Sequence, residues 1–192
     1  MALRREDAQR HEDMTETNRA LLVIDMLRDF IDPDGALSLG AAGREIIPAV
    51  SERLERARRR GDLVVFICDR HRPDDAEFEM FPPHCIVGTP GADIVSELQP
   101  EGGEAVVTKR RYSGFYGTEL DILLREKSIS GVELAGVCTN ICVLYTAADA
   151  RNRGYHVRVA PRAVAGLAQE AHDWALAEME GTLGCELICE DD

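Results

Sequence analysis

The chain has 192 residues, 45% apolar and 30% charged, with 35 acidic against 22 basic side chains and a net charge of −13. That size suits one domain with a full core, and the acidity argues against nucleic-acid or anionic-membrane partners, which bind positive faces. No apolar run approaches the roughly 18 residues of a membrane span, and the polar start has no export core, so a soluble, cytoplasmic protein is expected.

Residues 1–18 are almost wholly polar and read as a flexible N-terminal extension; residues 19–192 read as a single domain. A first strand is expected over 19–25 (RALLVID), a helix over 43–60, and a second strand over 62–69 (DLVVFICD). A loop rich in Asp and His follows, then a short helix over 91–98, a strand over 104–109 and a helix over 118–127. The remainder reads as strand 131–137, helix 140–153, strand 155–160, helix 169–181 and strand 185–189. Several strands are apolar on both faces, as buried parallel strands are. Repeated strand–helix alternation therefore predicts an α/β fold: one three-layer α/β/α domain on a mainly parallel, Rossmann-like sheet of about six strands. Gly61, Gly154 and Gly184 stand where helices should stop with a positive φ. Six cysteines could pair in a secreted protein, but several lie inside apolar runs, where a reduced thiol acts as a small hydrophobe.

In such sheets ligands sit beyond the carboxyl ends of the strands. Strand one ends at Asp25, strand two at Asp69, strand three at Lys109, and strand four runs into Val137–Cys138. Cys142 falls in the first turn of the following helix, where unpaired N–H groups and the helix dipole favour a thiolate. Taken singly, these residues have plainer readings. Cys138 and Cys142 could be core cysteines or a metal pair, Asp25 a helix N-cap, and Lys109 a solvated charge. Together they offer a thiol to attack, a carboxylate to move its proton and a cation beside both. A second group, DRHRPDDAEFEMFPPHC at 69–85, sets Asp69 and His71 on one side of an extended chain and returns with His84. One carboxylate and two imidazoles suit Zn, Fe or Mn, although a polar surface loop has the same composition.

Four segments in this order, LLVIDMLRDF, DRHRPDD…FPPHCIVGTPGA, KRRYSGFYGTELD and GVCTNICVLYTAADA, resemble the isochorismatase-like cysteine hydrolase superfamily, and within it the nicotinamidases. The resemblance implies a catalytic triad of Asp25, Lys109 and Cys142, and an oxyanion hole from the N–H groups of Cys138 and Cys142 after a cis Val137–Cys138 bond. It implies a divalent metal (Zn, Fe or Mn) on Asp69, His71 and His84, with Glu77 as a further ligand or water-holder. Phe30, Phe81 and Tyr112 fall where members place aromatics around a flat ring. It also implies a small-molecule amide substrate, nicotinamide first, and a homo-oligomer. Arg70 departs from the pattern, since many nicotinamidases carry an aromatic between the metal Asp and His. Isochorismatases proper lack the nucleophilic cysteine. The rivals are another small-amide or ureido/carbamoyl amidohydrolase of the superfamily, and a non-catalytic metal-binding member.

Overall fold

The computed structural model describes residues 18–188, so most of the expected N-terminal extension and Cys189 lie outside the described residues. Six strands form one sheet: β1 Arg19–Ile24, β2 Leu63–Asp69, β3 Ala105–Lys109, β4 Gly131–Val137, β5 His156–Ala165 and β6 Glu186–Leu187. All pairs are parallel, in the order β3-β2-β1-β4-β5-β6. The helices are α1 Arg28–Ile31, α2 Ala41–Glu45, α3 Ile47–Arg60, α4 Leu120–Glu126, α5 Leu144–Asn152 and α6 Gln169–Gly181.

The three layers follow from side-chain alternation along the strands. Leu21, Val23, Val64 and Phe66 face one way and pack on Ile47, Val50 and Leu54 of α3. Their neighbours Leu22, Ile24, Val65 and Ile67 face the other way, onto Leu120 and Leu124 of α4, Ala147 of α5 and Met179 of α6. Both faces are therefore apolar, which is why the strands read as unbroken hydrophobic runs. Gly61, Gly154 and Gly184 all take positive φ, Gly61 as the left-handed cap of α3.

Three expectations need correction. The helix over 43–60 is two, broken at Ile46, with Pro48 in the first turn of α3. No α-helix forms over 91–98: the stretch holds two 3₁₀ turns, Pro90–Ala92 and Ser96–Leu98, and its residues bind the loop around α1 instead. Arg28 N–H donates to the Asp93 carbonyl at 2.9 Å and Val95 N–H to that of Met26 at 3.1 Å. β5 runs to Ala165, five residues beyond the expected end, continuing through Pro161.

The chain order reverses between β1 and β4, the switch point where open sheets leave a crevice. There Gly136 pairs with Ile24, and a Cβ on it would lie 1.9 Å from the Ile24 carbonyl oxygen. Glycine is required there, because it lets the end of β4 close on β1 just before the Val137–Cys138 bond, which is cis.

Candidate active site

The strand ends converge. Asp25, Asp69 and Lys109 are almost fully buried at 0%, 3% and 2% exposure, and so is Cys142 at 5%. The Lys109 ammonium is the hub: Nζ lies 2.7 Å from Asp25 Oδ2, 2.6 Å from Asp69 Oδ1 and 3.3 Å from Cys142 Sγ. Asp25 is held from its other oxygen, Oδ1 accepting the Asp69 N–H at 2.8 Å. Oδ2 has no well-aligned hydrogen bond despite the nearby ammonium. Asp25 is not a helix cap: α1 begins after Leu27 without a side-chain cap, and Asp25 itself takes a φ of 51°.

The charges sort themselves by surroundings. Burial raises the Asp25 carboxyl, the Asp69 charge adds to this, and Lys109 only partly opposes, leaving it at about 6. Burial works against the Lys109 charge, but Asp25, Asp69 and Cys142 outweigh it and hold the ammonium well above its ordinary range. Burial also pushes the Cys142 thiol far up, and Asp25 and Asp69 add to it against Lys109. The helix start favours a thiolate, as expected, but desolvation of the buried sulfur works against it and raises the thiol. Cys142 sits in a wide turn, Thr139–Val143, ahead of α5. Its sulfur and one carboxylate oxygen each of Asp25 and Asp69 lie within 4.8 Å of one another.

The second group gathers beside the first. Asp69, His71 and His84 bring one donor atom each within 4.8 Å of one another, and all three are buried. His84 arrives because the chain at 85–87 lies along His71, whose N–H donates to the Cys85 carbonyl at 3.0 Å while Val87 N–H donates to His71 at 2.9 Å. Asp29 fixes that return, its Oδ2 accepting the Cys85 N–H at 2.7 Å. A Cβ on Gly91 would fall 2.1 Å from the same oxygen, so a side chain there would push the Asp29 carboxylate off that bond.

Both imidazoles are tied through Nδ1, His71 at 3.1 Å from Asp75 Oδ2 and His84 at 2.8 Å from the Pro82 carbonyl. His71 Nε2 is buried without a hydrogen-bond partner, as is Glu77 Oε2. Glu77 stands beside the trio, Oε1 4.0 Å from His71 Nε2. Burial raises Glu77, and the Asp69 charge adds to it. Unsatisfied buried donors and acceptors of this kind are costly unless a ligand engages them, and a His₂-carboxylate set suits a divalent ion.

The expected aromatics do line the pocket. Phe30, Phe81 and Tyr112 share its wall with Asp69, Glu77, His84, Cys138 and Cys142, around a free volume of ≈ 20 Å³. Phe30 and Phe81 meet the His84 ring edge-on at 5.3 and 6.4 Å. Leu37, Ile141 and Leu167 complete the wall and went unnoticed in the sequence, where nothing separates them from core residues. Asp75 and Asp29 were also missed; the spacing Asp75-x-Glu77 after His71 was the available clue. Arg70 faces away from the pocket. Its guanidinium bonds the carbonyls of Asp69 and Ala92, and it lines a separate surface hollow of ≈ 690 Å³. The five described cysteines are free and buried, and among the described residues no helix is long and apolar enough to cross a membrane.

Comparison with known proteins agrees with this architecture. A model of the isochorismatase domain matches residues 19–192. The chain is 41% identical to an isochorismatase family protein, PncA, of Bacillus subtilis, across 88% of this chain and 98% of that one. It is 34% identical to a nicotinamidase/pyrazinamidase of Mycobacterium tuberculosis, across 89% and 98%. Among solved structures, B. subtilis nicotinamidase/pyrazinamidase PncA superposes with a TM-score of 0.86 at 37% identity, covering 90% of this chain and all of that one. A Pyrococcus horikoshii pyrazinamidase in complex with zinc gives 0.84 at 35%, covering 89% and 98%. Thermoplasma acidophilum N-carbamoylsarcosine amidase gives 0.83 at 35%, covering 91% and 98%. Fold and relatives together define an α/β amidohydrolase. Within that class, the chain belongs to the isochorismatase family.

Proposed function

We propose that this protein is a metal-dependent nicotinamidase, hydrolysing nicotinamide to nicotinate and ammonia through a thioester on Cys142. The observation that carries the reading is Asp69: one carboxylate touches the Lys109 hub at 2.6 Å and supplies a donor to the His71–His84 group. A nucleophile and a metal-type donor set thus share one aromatic-walled pocket.

Asp69, His71 and His84, with Glu77 adjacent, would hold a Zn, Fe or Mn ion. When bound, the ion supplies a Lewis-acid contact that orients the ring nitrogen of the substrate. Phe30, Phe81 and Tyr112 pack the flat ring. The Cys142 proton passes to the Asp25 carboxylate as sulfur attacks the carboxamide carbon, and the N–H groups of Cys138 and Cys142 receive the oxyanion. Each such donor is worth about 3–4 kcal/mol in comparable sites. Asp25 then gives the proton to the departing nitrogen, the C–N bond breaks, and ammonia leaves a thioester. Water donates a proton to Asp25 and adds to the thioester carbon, and the collapsing intermediate releases nicotinic acid, which ionises to nicotinate in solvent, while Cys142 regains the proton from Asp25. Lys109 keeps Asp25 anionic at rest and steadies the charge that builds on sulfur. The five described cysteines, free and buried, fit a reducing cytoplasm, where the nicotinate product would feed NAD salvage.

A ureido or carbamoyl amide is the second reading, favoured by 35% identity to N-carbamoylsarcosine amidase. Ammonia release measured over nicotinamide, pyrazinamide and several ureido compounds, each with and without chelator, separates the two. Turnover of nicotinamide that chelation abolishes supports the first reading. Turnover of a ureido compound alone overturns it.

A further inference from the structure

We propose that Asp75 is a positioning residue of the metal site: it holds His71 with Nε2 turned into the pocket and ties that constraint to Arg111, beyond Lys109. The inference rests on the metal reading above.

An imidazole that binds a cation through Nε2 must carry its proton on Nδ1, and whatever accepts that proton sets the tautomer and the ring plane. For His71 the acceptor is a carboxylate, Asp75 Oδ2 at 3.1 Å, with side-chain exposures of 0% and 5%. His71 Nε2 is left buried without a hydrogen bond, beside Asp69 Oδ2 at 3.6 Å. His84 is fixed differently, by the Pro82 carbonyl of its own loop at 2.8 Å. Only His71 therefore depends on a side chain that substitution can remove.

An ordinary capping aspartate uses one oxygen, and Asp75 does cap the 3₁₀ turn Ala76–Glu79, Oδ1 accepting the Glu77 N–H at 3.0 Å. The same Oδ1 accepts from Arg111 Nη1 at 2.9 Å, while the second oxygen is committed to the buried imidazole. Arg111 is 44% exposed and lies 3.9 Å from Glu77 Oε2. The chain from His71 through Asp75 to Arg111 thus fastens a loop without α-helix or strand to the segment leaving β3, two residues past the Lys109 hub.

The test measures zinc affinity by competition with a chromophoric chelator, with the cobalt(II) absorption spectrum and metal-free melting recorded alongside. Asp75→Ala should weaken zinc binding about 10–100-fold and shift the cobalt bands, Asp75→Asn should weaken it less, and Arg111→Ala least. A merely structural aspartate would lower metal-free melting and leave the cobalt bands of folded protein where they were. An Asp75→Ala protein with parental affinity and superimposable cobalt bands overturns the proposal. If that variant does not fold, Asp75→Asn decides: parental affinity overturns it, and a several-fold loss with unchanged metal-free melting supports it. A parent protein that binds no zinc but still hydrolyses amides removes the metal reading itself, and this proposal with it.

Discussion

The two halves of the pocket are built in different ways. Asp25, Lys109 and Cys142 stand at or just beyond the ends of β1, β3 and β4, so the register of a buried parallel sheet sets their spacing. His71, Glu77 and His84 ride a loop with only a 3₁₀ turn, and their positions depend on polar anchors: Asp29 on Cys85, Asp75 on His71 and the Pro82 carbonyl on His84. Asp69 belongs to both halves, as the last residue of β2, bonded to Lys109 and grouped with the two histidines. The difference teaches that sheet register places the strand-end side chains, whereas the loop side chains are only as well placed as the groups behind them.

Substitution can break that contrast most sharply at the cysteines. Cys142→Ala should abolish ammonia release while the protein still folds, because the change removes one buried sulfur and leaves the sheet intact. Cys138→Ser, four residues earlier, should keep most activity, since only its backbone is assigned a task. Equal losses in a steady-state assay would erase the distinction between them.

Acid should act on the strand-end half next. Asp25 must be a carboxylate to receive the thiol proton, and its carboxyl sits at about 6, above the ordinary 3.8. Reactivity is therefore present above that value and lost as pH falls through it. The rate of Cys142 alkylation by iodoacetamide, and kcat/KM for the amide, should both fall about tenfold per unit below pH 6. Profiles level down to pH 4 would exclude Asp25 as the base.

The smallest expected effect lies in the loop half. Asp29→Ala frees the Cys85 N–H and should cost about 1–3 kcal/mol of stability. Zinc retention should suffer, whereas Cys142 alkylation should stay within about twofold of the parent. Thermal melting with and without zinc reads the stability and the zinc retention, and the iodoacetamide rate reads the alkylation. If alkylation slows as much as zinc binding weakens, the halves are not separately supported.

The sequence by itself determined the parallel α/β sheet, because apolar runs on both strand faces and amphipathic helices between them leave few other ways to bury the core. It also brought Asp25, Asp69, Lys109 and Cys138 to one edge, since strand ends share an edge whenever strands are parallel. Tertiary structure alone decided the rest. Whether Lys109 was a solvated charge or a hub depended on the 2.6 and 2.7 Å approaches of two carboxylates from neighbouring strands. That the Cys142 thiol is raised, against the pull of the helix start, comes from burial of the sulfur beside Asp25 and Asp69. The 91–98 segment gave up a helix for bonds to Met26 and Arg28, and Asp75 looked like any loop aspartate until His71 lay against it. Local pattern carries periodicity and order along the chain; desolvation and contacts between distant segments exist only once the chain is packed.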